Sequence, residues 1–289
     1  MKLYKYVTMA SALKIIESRT IAFSHPKDFN DPFDQPRLPN EESARGFFRL
    51  LVPLRAKLEA SMWGDSAAAL CLTRTATNPL MWAHYADCHR GVVIGIDTQL
   101  AGFLDTTTNL VPAHFGNIVY SSVRNTSRFH SNFEEPAEIG STHHFVLNHQ
   151  EKWQRMFLSK PLSWAYEEEV RVVKCVNGID SVTGCNSSGK WTIIQDKERK
   201  LYCLHIPIQA ITDVILGARV SSFDVLPFSR HVHSTLFKRA ELDDSTYTIS
   251  VVPFDKPRYP LRQFLPEEKV LNELGLSLSD EQSSDHEAP

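Results

Sequence analysis

The run Trp164-Ala165-Tyr166-Glu167-Glu168-Glu169-Val170-Arg171 constrains the fold more than any other stretch of the 289-residue chain. Successive side chains of a strand alternate faces, so Glu167, Glu169 and Arg171 share one side. Two carboxylates and a guanidinium beside the apolar run Val170, Val172 and Val173 point to a polar site mounted on a buried sheet. The plainer alternative is a solvated network of Glu167 and Arg171 that does no chemistry.

Around this strand the chain reads as many short strands with scattered helices. That pattern predicts a single α+β domain over residues 1–275, with a central mixed or mainly antiparallel sheet and flanking helices. Residues 276–289 read as a disordered acidic tail. Strands are expected at Leu3–Tyr6, Ile21–Ser24, Ala67–Thr73, Gly91–Asp97, Asn117–Tyr120, Leu201–Ile206, Thr212–Leu216 and Thr246–Val251. A hairpin is expected to join the central strand, running through Cys175, to Trp191–Gln195.

Helices are expected from Thr8 or Ser11 to Ser18, and from Asn40 toward Ala60 with a kink or break at Pro53. Others are Pro79–Ala86 behind the cap Asn78, Thr142–Ser159 as a clear long helix, Ser222–Arg239 and Pro266–Leu274. Ser121–Gly140 reads as a long polar loop.

Two further constellations carry candidate chemistry. In Trp82-Ala83-His84-Tyr85-Ala86-Asp87-Cys88-His89-Arg90, helical spacing puts His84 and Asp87 on one face. A carboxylate that fixes the tautomer of an imidazole supports either catalysis or ligand binding. The alternative is a helix end where Asp87 pairs with Arg90 and the aromatics fill core. In Phe29-Asn30-Asp31-Pro32-Phe33-Asp34, Asn30 or Asp31 can face a ligand from a pocket wall, or simply shape a tight corner.

Composition closes off several classes. A formal net charge of -3 exerts no global pull on nucleic acid or an anionic membrane. Five cysteines without a Cys-x-x-Cys pair argue against a disulfide framework and a cysteine zinc site. No apolar run approaches the roughly 18 residues of a membrane span, so a cytoplasmic protein with no membrane partner is expected. No glycine-rich phosphate loop or regular zinc spacing is present, and no metal is expected. His143, His144 and His149 read as surface residues.

Taken together and in this order, the motifs resemble a widespread, mainly bacterial family catalogued as a domain of unknown function. The resemblance rests on Leu3-Tyr4-Lys5-Tyr6, Phe23-Ser24, Phe29-Asn30-Asp31-Pro32-Phe33-Asp34, Leu80 to Asp87, His89-Arg90-Gly91 and Trp164 to Arg171. It covers roughly residues 3–217. More loosely, a strand, a short helix, a second strand ending near Ser24 and a late Glu-x-Glu strand resemble the ADP-ribosyltransferase superfamily.

That second resemblance implies that Lys5 or Tyr6 contacts NAD, Ser24 supports the nicotinamide ribose and Glu169 is catalytic. Lys5 or Tyr6 stands where the superfamily has His or Arg, and residues 82–90 have no counterpart in its minimal pattern. The expectation is an ADP-ribosyltransferase-like enzyme that takes NAD as co-substrate. Glu169 would stabilise an oxocarbenium-like transition state, and Glu167 would orient the acceptor nucleophile.

The expected catalytic set is Glu169, Glu167 and His84. The expected ligand-binding set is Lys5, Tyr6, Ser24, Asn30, Asp31, Trp82, Tyr85, Asp87, Arg90, Tyr166 and Arg171. Expected partners are a nucleotide-type small molecule and a protein or nucleic-acid acceptor, in a defence or toxin setting. The alternatives are a nucleotide- or ligand-sensing module without turnover, and a metal-dependent nuclease or hydrolase built on Asp31, Asp34, His84, Asp87 and Glu169.

Overall fold

Short local signals start the fold. Thr8 Oγ1 accepts from the Ser11 amide at 3.2 Å and opens α1 (Met9–Ser18), and Arg19 closes it in the left-handed region at φ 54°. Asn78 Oδ1 accepts from the Leu80 and Met81 amides and opens α3 (Pro79–Tyr85), with Pro79 in the first turn. The computed structural model describes residues 1–34, 48–124, 137–196, 199–220, 227–228, 231, 233–243 and 245–254. Met1–Val252 forms one compact unit, and the second unit, Pro253–Pro289, is described only at Pro253 and Phe254.

The strands are β1 (Lys2–Val7), β2 (Thr20–Ser24), β3 (Ala67–Thr73), β4 (Val92–Asp97), β5 (Val119–Ser121), β6 (Ser159–Pro161) and β7 (Glu169–Cys175). They continue with β8 (Cys185–Asn186), β9 (Gly189–Asp196), β10 (Arg199–His205), β11 (Ile211–Leu216), β12 (Phe237–Asp243) and β13 (Thr248–Pro253). The remaining α-helices of the described residues are α2 (Phe48–Ser66) and α4 (Gln150–Phe157). The main sheet runs β13-β12-β11-β4-β1-β3-β2-β10-β9-β8, with β7 paired to β3. β1 with β4, β2 with β10, β4 with β11 and β3 with β7 pair antiparallel and β11 with β12 parallel, so the class is α+β with a mixed, mainly antiparallel sheet.

Strand β3 is the hub, and the sheet splits along one of its edges. β1 meets that edge only at Tyr4 opposite Thr73, and β2 only at Ser24 opposite Ala69. Among the described residues, Leu70, Cys71 and Leu72 between these pairs have no strand partner on that edge. β1 turns away to β4 and β2 to β10, which opens a crevice in the middle of the sheet. The other edge of β3 is fully paired to β7, from Ala67 opposite Cys175 to Thr73 opposite Glu169.

β7 is buried along its whole length. Its outer edge is covered by the irregular segment 110–118 rather than by a long strand. Arg171 N donates to Gly116 O at 2.8 Å, and Val173 N to Val111 O at 3.0 Å. A Cβ at Gly116 would lie 1.9 Å from the Arg171 carbonyl oxygen, which only backbone movement can relieve. Gly116→Ala should therefore lower the unfolding free energy by about 1–3 kcal/mol. A urea midpoint equal to the wild type would show that this segment does not press on β7.

The sequence expectations for β1, β2, β3, β4, β10, β11, β13, α1 and α3 hold to within a few residues. Four others change. The helix expected over Thr142–Ser159 is α-helical only over Gln150–Phe157, because Phe145 donates its amide to Thr106 O and stacks on Phe115 at 4.3 Å. Trp191–Gln195 pairs with β10 and not with the central strand. Phe237–Arg239, expected as a helix end, begins β12 parallel to β11. Helix α2 is continuous across Pro53 and runs on to Ser66.

The start of the Asn40 helix, most of the loop beyond Arg124, much of Ser222–Arg239, the Pro266–Leu274 helix and the tail lie outside the described residues. Among the described residues, no helix is long and apolar enough to cross a membrane.

Candidate functional site

The carboxylates of the central motif converge by a route that strand alternation does not describe. Leu162–Glu167 is a 3-10 helix, Glu168 follows in the left-handed region at φ 45°, and the strand begins at Glu169. That single left-handed residue turns the chain so that Glu167 and Glu169 face one ammonium group. It belongs to Lys160 of β6, whose Nζ lies 2.5 Å from Glu167 Oε2 and 3.1 Å from Glu169 Oε2. All three side chains are buried, as is Arg171 at 1% exposure, which rules out the solvated network.

Arg171 completes the cluster. Its Nε donates to Glu169 Oε1 at 2.7 Å, and its Nη2 to Glu169 Oε2 at 3.1 Å and Asp34 Oδ2 at 2.8 Å. Its Nη1 donates to Phe157 O at 2.7 Å, and the guanidinium lies over the Phe29 ring at 4.9 Å. Three carboxylates therefore share two cations. Burial alone would push Glu169 up, but Arg171 and Lys160 outweigh it and hold its carboxyl at about 2. Glu167 goes the other way: burial raises it, and Lys160 and the Tyr85 hydroxyl offset this only in part. Burial lowers Lys160, but the two glutamates outweigh it and keep the ammonium charged.

These groups floor a cavity of about 110 Å³ at the split. β1 supplies Tyr4, Lys5 and Tyr6; β3 supplies Cys71, Leu72 and Thr73; α3 supplies Met81 and Tyr85. Lys5 Nζ donates to Cys71 O at 2.9 Å, so the first-strand cation occupies backbone left unpaired by the split. Tyr85 Oη donates to Glu167 Oε1 at 2.6 Å. Burial pushes the Tyr85 hydroxyl up, which keeps it a donor at neutral pH. Such a cavity is smaller than the ~150 Å³ that takes a benzene ring, so only part of a ligand enters it and the rest lies in the crevice outside.

Of the residues expected from sequence, Lys5, Tyr6, Asn30, Tyr85, Glu167, Glu169 and Arg171 line this cavity. The others lie elsewhere. Ser24 sits on β2, across the split. Trp82 is fully buried, packs edge-on against Tyr6 at 5.3 Å and donates to Ala76 O. Asp31 is buried and accepts from the Phe33 amide, forming the corner before Asp34. His84, Asp87 and Arg90 are exposed, and Tyr166 is half-buried beside His84. Asp87, Cys88 and His89 are successive left-handed residues, so α3 ends at Tyr85 and helical spacing cannot bring His84 and Asp87 together. His149, expected on the surface, is buried beside Trp153.

Lys160 and Asp34 were not expected among the ligand-binding residues. The sequence offers Asp34 only as a ligand in the metal alternative. Ser159-Lys160-Pro161 has no periodicity to mark a buried cation, and only the parallel pairing of β6 with β5 carries it inward. The metal alternative loses its geometry, since Asp34 and Glu169 face Arg171 and Lys160 while His84 and Asp87 stand at the surface. Among the described residues no group of three or more His, Cys, Asp or Glu side chains is arranged to hold a metal.

Residues 81–172 match a family model described as "Protein of unknown function (DUF2971)". The match takes in Tyr85, Lys160, Glu167, Glu169 and Arg171 and leaves out Lys5, Asp34 and Cys71; it is shorter than the span over which the motif resemblance was read. No curated protein and no solved structure matches the chain.

Proposed function

We propose that the crevice between β1 and β2 binds the nicotinamide-ribose end of NAD and that the protein catalyses ADP-ribosyltransferase-like glycosyl transfer. The observation that carries this reading is the split itself. It gathers Lys5 and Tyr6 of β1, and Glu167 and Glu169 at the head of β7, around one small polar cavity. A cavity of about 110 Å³ takes in only the edge of the nicotinamide-ribose group, and the rest of NAD lies in the crevice outside.

The two glutamates take different roles. Glu169 is neutralised by Arg171 and Lys160, so its charge does little for a cation forming on the ligand. Glu167 shares only Lys160 and the Tyr85 hydroxyl, and burial raises its pKa, which makes it the better proton acceptor of the two. In the proposed step the bond between the ribose anomeric carbon and the nicotinamide nitrogen breaks. Its electron pair goes to the ring nitrogen and cancels the pyridinium charge. The carboxylate of Glu167 stabilises the cationic ribose, and the acceptor nucleophile bonds to the anomeric carbon and passes its proton to Glu167. Glu169 holds Lys160 and Arg171 in place.

The ion pairing of Glu169 favours one other reading, a sensor that binds nucleotide without turnover. Incubation with NAD separates the two. Nicotinamide release is expected from the wild type, and Glu167→Gln should lower it roughly 10²–10⁴-fold. Thermal stabilisation by NAD without release would favour the sensor. Release that survives in Glu167→Gln would sink the assignment of roles.

A further inference from the structure

A row of aromatic rings, exposed at His84 and half-buried at Tyr166 and Trp164, adjoins residues that line the cavity. His84 touches the Tyr85 ring at 6.4 Å and the Tyr166 ring at 6.4 Å, and Tyr166 meets Trp164 at 6.0 Å. Trp164 in turn lies over Lys160 Nζ at 5.0 Å. Both ends of the row are therefore tied to residues that line the cavity, Tyr85 and Lys160. His84 is exposed, Trp164 and Tyr166 are half-buried, and Leu80 and Leu162 beside them are 48% and 56% exposed. Tyr166 packs partly buried against the core cluster of the fully buried Trp82, so the middle ring of the row is held from behind.

We propose that His84, Tyr166 and Trp164 form a stacking platform for the base of a free nucleotide whose other end enters the cavity. This rests on the crevice being the ligand site of the proposed function. The reasoning is one of size and chemistry. A cavity of about 110 Å³ leaves most of a nucleotide outside, at the lip. A planar base stacks on aromatic faces whatever its sequence identity, and gains affinity where the ring is already held in place.

The rings are inclined by 38° and 40°, so one base lies against Tyr166 with His84 and Trp164 as flanks. A nucleic-acid strand is the poorer occupant. The chain carries a net charge of -3, and the exposed Glu168 carboxylate adjoins the row, where a polyanion needs cations.

Calorimetric titration with adenosine diphosphate, ribose 5-phosphate and an oligodeoxyadenylate tests the platform, with saturation transfer to the adenine protons as a second readout. The diphosphate is expected to bind about tenfold or more tighter than ribose 5-phosphate. His84→Ala and Tyr166→Ala should each cut its affinity roughly tenfold and leave ribose 5-phosphate unchanged. His84 is exposed, so its variant folds even if Tyr166→Ala does not.

Three results overturn the proposal: no diphosphate binding at millimolar concentration, equal affinity for the base-free sugar phosphate, or variants that bind like the wild type. Tighter binding of the oligonucleotide than of the diphosphate assigns the row to nucleic acid and overturns it too. Neither ligand carries nicotinamide. Retained base preference without nicotinamide release therefore sinks the proposed reaction alone, and release without base preference sinks the platform alone.

Discussion

Replacing Arg171 by methionine should lower the unfolding free energy by about 3–5 kcal/mol, more than any other single change at the site. The side chain is 1% exposed and makes four hydrogen bonds, to both oxygens of Glu169, to Asp34 and to Phe157 O. Methionine fills much of the volume but leaves the carboxylates of Glu169 and Asp34 buried with only Lys160 between them and Glu167. Removing one partner of a buried pair costs far more than the pair contributes, because the remaining charge loses its compensation. Lysine is no substitute: a single ammonium cannot reproduce a planar fork that reaches two carboxylates and a carbonyl.

Urea denaturation of Arg171→Met, Glu169→Gln and the double variant measures this directly. The double variant should recover about half of the loss, since it also removes the orphaned charge. A loss below about 1 kcal/mol in Arg171→Met would falsify the view that the cluster is closed by this guanidinium.

How much of this was legible beforehand depends on where each residue takes its instructions. β3 and β4 were legible because Ala67–Thr73 and Val92–Asp97 are nearly continuous apolar runs, and burial on both faces needs nothing else. The pairing of Glu167 with Glu169 was also legible, although for an incomplete reason. Alternation predicts that i and i+2 share a face, whereas the protein turns Glu167 inward from a 3-10 helix through left-handed Glu168. Lys160 was not legible. Lysine between serine and proline is usually solvated, and its burial follows from ion pairs with Glu167 and Glu169 beyond an irregular turn and with Asp34, far back in the sequence.

Phe145 and Val146 misled for the opposite reason. Their spacing, with His149, Trp153, Met156 and Phe157, fits a helix, but the hydrogen bond to Thr106 and the stack on Phe115 win over that periodicity at its start. The same holds for His84 and Asp87. Helical spacing put them on one face, and nothing short of the left-handed run from Asp87 to His89 shows that the helix has already ended. Residue types at the site were thus readable, while the backbone turns that aim them were set by tertiary contacts.

Lys174 offers the second large effect, and its direction is unusual. The ammonium is 2% exposed at the far end of β7 and donates to Thr108 O at 3.0 Å and Ser188 O at 2.9 Å. Neither acceptor carries charge. Burial lowers the group to about 8, and the exposed Asp105 carboxylate nearby raises it only slightly against that. An unfolded lysine titrates near 10.4. Between these values the folded chain has shed its proton while the unfolded chain keeps it, so the unfolded state binds more protons and stability rises with pH.

Below about pH 8 both states are protonated and the full cost of a charged buried amine, about 3 kcal/mol, weighs on the fold. Three buried or half-buried cysteines work against this above their usual range, because burial pushes Cys71 to about 12 and raises Cys175 and Cys203. Their unfolded thiols ionise near pH 9 while the folded ones stay neutral, which lowers stability as pH climbs. The contribution of Lys174 is therefore read as the difference between wild type and Lys174→Met, in which the thiol terms cancel. That difference should move in favour of the wild type by about 2 kcal/mol between pH 7 and pH 9.5. A difference that stays flat across this window would show that the amine keeps an ordinary affinity for its proton, and that Thr108 and Ser188 solvate it as well as water does.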